Sequence, residues 1–89
     1  MKLNITIELW QKENWYLAKS PELDFVAQGK TAEEAKCNLF EVIKIQFHEM
    51  EEMGTLMDYL AECGFEVKDD TILPVNEIVG FERSTVHIG

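Results

Sequence analysis

The segment from Thr31 to Gly54 constrains this chain more than any other part of it. Thr31-Ala32-Glu33-Glu34 has the spacing of a capping box, with a threonine to accept a backbone N–H and a glutamate three positions on. Behind it, Ala32, Ala35, Leu39, Val42, Ile43, Phe47, Met50 and Met53 fall on one stripe of a helical wheel, with Phe40 at its margin. Glu33, Glu34, Glu41, Lys44, His48, Glu51 and Glu52 point away, and Gly54 is a natural stop. The spacing predicts one long helix over 31–53. Its stripe is wide enough to pack on a sheet and against a second element as well.

The sheet it needs lies upstream. Lys2–Trp10 alternates, with Leu3, Ile5, Ile7 and Leu9 on one face and Asn4, Thr6, Glu8 and Trp10 on the other. A polar break at Gln11–Asn14 and a run from Trp15 to Ala18 predict a hairpin. Pro21 marks a loop, and Phe25–Gln28 supplies a third short strand. Residues 1–28 thus read as an antiparallel meander covered on one face by the long helix, an α+β fold in a single domain. Downstream, Thr55 is placed to cap a short helix over 55–63, with Leu56, Leu60 and Cys63 on one face and Gly64 as its stop. Phe65–Val67 is a candidate strand and Lys68–Asp70 a turn, in a segment, 64–89, expected to be extended to its end. Gly80 is a candidate bulge within it.

Gly29-Lys30-Thr31 at a helix start resembles the end of a phosphate-binding loop. The glycine such a loop needs five positions earlier is replaced by Asp24, and the intervening Phe25–Gln28 is strand-like. Glu22 and Asp24 would repel an anion, and Thr31 is already committed as a cap. The expectation is a turn and a cap, not a nucleotide site.

Charge narrows the partners. The chain carries −9 overall, and the imbalance is uneven: residues 1–45 hold seven acids against six lysines, residues 46–89 ten acids against two bases, Lys68 and Arg83. Gripping nucleic acid takes clustered Lys and Arg, so direct nucleic-acid binding is not expected, whereas a basic partner is. With 46% hydrophobic and 28% charged residues the chain has the means to fold. No apolar run reaches membrane-spanning length and the first residues do not read as a signal peptide, which points to the cytoplasm, with Cys37 and Cys63 as free thiols.

Chemistry is thinly represented. His48 and Glu52 share a helix face but lack further ligands with metal-site spacing, and neither cysteine has a base placed beside it. Glu8, Asp24 and Glu34 form a trio of the kind a metal-dependent nuclease uses, at a frequency that abundant acids produce by chance. No enzyme activity, cofactor or metal is expected. The aromatics are more informative. Alternation cannot bury Trp10, Trp15 and Tyr16 on one sheet face, so part of this set faces outward, where Trp and Tyr serve as interface anchors. Ile78, Val79 and Phe81, beside Glu77, suggest a strand that either completes the chain's own sheet or pairs with another molecule. The candidate partner-binding residues are therefore Trp10, Trp15, Tyr16, Glu77, Val79 and Phe81.

Taken in succession, Trp15-Tyr16, Pro21-Glu22-Leu23, Gln28-Gly29, Thr31-Ala32-Glu33-Glu34-Ala35 and Asn38-Leu39 resemble the N-terminal domain of HicB-family antitoxins. The likeness covers about Ile5 to Ile45. It implies a partial ribonuclease-H-like fold that has lost catalysis, self-association into a homo-oligomer, and neutralisation of a small, basic, messenger-cleaving HicA-like toxin. Many family members add a C-terminal DNA-binding domain. Residues 64–89 are too short for a helix-turn-helix and hold only two bases, so operator binding is not expected of them. The alternative is a stand-alone homo-oligomeric binding module without a toxin.

Overall fold

The computed structural model describes every residue from Met1 to Gly89 and is an α+β arrangement of two three-stranded sheets and two helices. The strands are β1 (Lys2–Leu3), β2 (Glu8–Lys12), β3 (Trp15–Ser20), β4 (Phe25–Gly29), β5 (Phe65–Lys68) and β6 (Thr71–Pro74). Helix α1 is Ala32–Met53 and α2 is Leu56–Glu62. β2, β3 and β4 form the expected antiparallel meander. β5 and β6 form a hairpin across Asp69-Asp70, both with positive φ (51° and 65°), and β6 also pairs in parallel with β1.

Helix α1 packs on β3 and β4. Its start is fixed by Thr31, whose Oγ1 accepts the Glu34 N–H at 3.0 Å. The reciprocal bond from the Glu34 carboxylate is not formed, so half of the capping box is used. The helix ends in a Schellman turn: Gly54 takes φ +73°, its N–H reaches the Glu51 carbonyl, and the Thr55 N–H reaches that of Met50. Ala35, Leu39 and Ile43 are buried from the apolar stripe and join Ala18, Leu23, Leu60, Phe65 and Ile72 in one core. The second neighbour that the wide stripe called for is α2. Tyr59 anchors it, with its ring stacked on Phe25 and its hydroxyl donating to the Leu23 carbonyl at 3.0 Å.

Gly29 settles the Gly-Lys-Thr question. It is buried at the end of β4, and a Cβ there would stand 2.6 Å from the Ala35 nitrogen. The glycine lets the strand touch the first turn of α1, while Asn38 Nδ2 donates to the Gln28 carbonyl at 2.9 Å and ties the next turn to the same strand.

Four expectations need correction. The strand foreseen over Lys2–Trp10 is broken at Asn4–Ile7, and its two ends join different sheets. The Glu22 carboxylate accepts the Thr6 N–H through both oxygens, at 3.0 and 3.1 Å, and so holds the break that local alternation does not reveal. Thr55 does not cap α2 with its side chain; its hydroxyl instead donates to the Met50 carbonyl at 3.4 Å. Thr71–Pro74 is a strand that hydropathy alone did not mark. Finally, Asn76–Gly89 forms no strand and no backbone hydrogen bond, so it does not complete the chain's own sheet and Gly80 marks no bulge.

Ser20 is fully buried on the helix side of β3, and its hydroxyl has no hydrogen-bond partner in the protein. Ser20→Ala removes an unsatisfied polar atom while leaving little void. The variant is expected to be more stable by about 1 kcal/mol in chemical denaturation. A loss of that size instead would show that the hydroxyl is bonded in solution.

Candidate protein-interaction site

The register of the meander determines which side chains face out. Ala18 and Ser20, with zero exposure, lie under α1, so their β3 neighbours Trp15, Leu17 and Lys19 occupy the opposite face. Trp10 stands directly across from Leu17, Lys12 across from Trp15, and Glu8 and Val26 on either side of Lys19. No element covers this face. Trp10 is 57% exposed, Trp15 45% and Val26 56%. The result is an apolar and aromatic surface centred on Leu17, edged by Lys12, Lys19 and Glu8, with the Trp10 indole N–H donating to Glu8 Oε1 at 3.1 Å.

The candidate residues separate into three groups. Trp10 and Trp15 share the open face. Tyr16, one position out of phase, is half-buried on the helix side and packs against the core, so it is not part of that surface. Glu77, Val79 and Phe81 lie on the C-terminal tail. Phe81 and Arg83 line a shallow depression with Ile7, Glu8, Leu9 and Trp10, which brings Phe81 beside one of the tryptophans. Glu77 lies beside Asn4, Thr6 and Glu22. Val79 is 96% exposed. Leu17, Val26 and Lys19 escaped the sequence reading because their membership of the open face depends on cross-strand register. Leu9 is another case: it has the helix-side phase but sits on the outermost strand, at 52% exposure.

The opposite flank carries a larger apolar groove of about 430 Å³, floored by Leu3, Ile5, Ile43, Phe47 and Leu56, with Phe40 along its side. Lys44, His48 and Glu51 of α1 form its polar rim. Acid-rich positions of the second half are spread over α1, α2 and the β5–β6 hairpin, and only three ion pairs form. Most carboxylates are therefore free to set a long-range negative field.

Groups with chemical potential do not converge. No three His, Cys, Asp or Glu side chains are placed to hold a metal, and Glu8, Asp24 and Glu34 are no exception. His48 Nε2 pairs with Glu52 Oε1 at 3.4 Å on the surface, and Cys37 and Cys63 are free thiols. No helix is long and apolar enough to cross a membrane.

One titration is strongly displaced. Burial, then the hydrogen bond and charge of Cys63 and the charge of Asp24, push the Tyr59 phenol up from 10.0 to about 12. The folded chain keeps a proton that the unfolded chain releases near pH 10, so this contribution to stability is intact below that pH and is lost as pH rises through about 12. Denaturation midpoints followed across this window are expected to fall, and Tyr59→Phe should flatten the fall.

No family model, curated protein or solved structure matches this chain.

Proposed function

We propose that this chain is an antitoxin-type binding protein, a HicB-like domain with a partial ribonuclease-H-like fold that acts in the cytoplasm and covers a small, basic, messenger-cleaving HicA-like toxin. The observation that carries the reading is the uncovered sheet face, where Trp10 and Trp15 flank Leu17 on a three-stranded platform. Large rigid aromatics with an apolar centre are the side chains that dominate protein interfaces. The net charge of −9 supports a basic partner, which it would draw in from a distance. The resemblance over Ile5–Ile45 supplies the partner's class.

The test is capture from native lysate at low and at high salt with the unmodified chain and with Trp10→Ala/Trp15→Ala. A basic protein of toxin size is expected at low salt, released as salt rises and weakened at least tenfold by the double variant, a loss of about 1.4 kcal/mol or more. Expression of that protein alone should arrest growth, and co-expression of this chain should restore it. Recovery of no such protein from a lysate that expresses this chain would remove the toxin reading.

A second reading, a stand-alone homo-oligomeric module, is favoured by the tail, whose Val79, Val86 and Ile88 are 96%, 79% and 97% exposed.

A further inference from the structure

We infer that two copies of this chain associate by exchanging their C-terminal tails, the tail of each seating Val86 and Ile88 in the groove between α1, β1 and α2 of the other. This rests on the self-association reading and gives it a segment and a receiving surface; it is compatible with a toxin on the opposite, tryptophan-bearing face.

The chain exposes more surface than a compact domain of its size. A compact monomer of 10.3 kDa exposes about 5,350 Å², and this chain exposes 6993 Å². The surplus is about 1,600 Å² per chain, while a standard stable interface takes about 800 Å² from each partner. The radius of gyration agrees: 15.3 Å, against about 12 Å for a compact domain of this length. A reciprocal exchange removes both the tail and the groove from water in each copy, which is the symmetric, closed arrangement that paired chains favour.

The tail also runs in a definite direction. Glu77 and Ile78 lie beside Asn4 and Thr6, and Phe81 and Arg83 beside Ile7–Trp10. Successive tail positions therefore advance along the N-terminal segment toward the hairpin, away from Met1 and Leu3 at the groove. Val86 and Ile88, farther along the tail, are 79% and 97% exposed, and no tail residue lines the chain's own groove, which stays open to another copy.

Charge permits the contact as well. Two chains at −9 repel, but residues 75–89 hold only Glu77, Glu82 and Arg83, the least acidic stretch of the second half. At the groove's rim Lys44 offsets Glu51. The groove's floor and the tail's Val86 and Ile88 make this contact mainly apolar. Rising salt, which also screens the repulsion between two acidic chains, should therefore leave it intact or tighten it, opposite to a basic partner's behaviour.

Sedimentation velocity of the full chain across a micromolar concentration series tests the inference. A dimer is expected. Ile88→Asp in the tail and Phe40→Asp at the groove, both at exposed positions, should each raise its dissociation constant at least thirtyfold while circular dichroism stays unchanged. Mixing the two variants should restore part of the association, because one intact tail then meets one intact groove. A dimer indifferent to both variants but broken by Trp10→Ala would overturn the tail exchange and leave self-association standing. A monomer at every concentration would overturn both.

Discussion

Gly29→Ala is expected to cost the fold about 3 kcal/mol, although it adds a single methyl group. The new Cβ would stand 2.6 Å from the Ala35 nitrogen, 2.9 Å from the Glu34 carbonyl carbon and 3.0 Å from Glu34 Cβ. Two of these are backbone atoms in the first helical turn, so no flexible side chain can swing aside. Relief requires lifting the start of α1 from β4, which also threatens the Thr31 cap and the Asn38–Gln28 hydrogen bond. For a domain of this size, whose whole stability is about 4–13 kcal/mol, the thermal midpoint should drop by roughly 15 °C. Gly54→Ala is the control. That glycine has open space around it, and only its left-handed φ resists a side chain, so the loss should be about 1 kcal/mol. Equal losses at the two positions would show that the strand-to-helix approach at Gly29 is not tight in solution.

Leu39→Ala should remove about 3–5 kcal/mol. Leu39 is fully buried in mid-helix, and with Leu60 and Ser20 it is among the largest side chains with no exposure. Only eight hydrophobic residues form the buried core, so neighbours have few ways to collapse into the space left behind. The loss approaches the lower range of total stability, and the variant is expected to be partly unfolded at 37 °C. Met53 lies on the same stripe of the wheel but is 74% exposed in the last turn. Met53→Ala should therefore change the denaturation midpoint by less than about 0.5 kcal/mol. Comparable effects would mean that the end of α1 is covered in solution, as an additional interface there would require.

These two pairs show where the sequence was legible. Each contrast joins residues that sequence treats alike: two glycines that both read as turns, and two apolar residues on one stripe. Burial separates them, and burial is a property of what the rest of the chain lays against them.

The same division runs through the candidate site. Trp10, Trp15 and Tyr16 were recognisable as too many aromatics for one face, since side chains alternate along a strand. Which of them face outward followed only from the pairing of β2 with β3 and from the side on which α1 settled. The groove beside Phe40 and Phe47 had no sequence signal, because its other wall comes from β1 and α2, distant in the chain.

What the sequence determined by itself is local. The helix, its threonine cap, its glycine stop, the first hairpin and the acid-rich second half follow from periodicity, turn chemistry and charge, all of which act within a few residues. The tertiary structure decided what depends on distant partners. Glu22 breaks the first strand by capturing the Thr6 amide, β6 is recruited by β1, and the tail is left unpaired. A strand's hydrogen bonds are satisfied by another segment rather than within itself. Its extent and its neighbours therefore become definite only when the whole chain has packed.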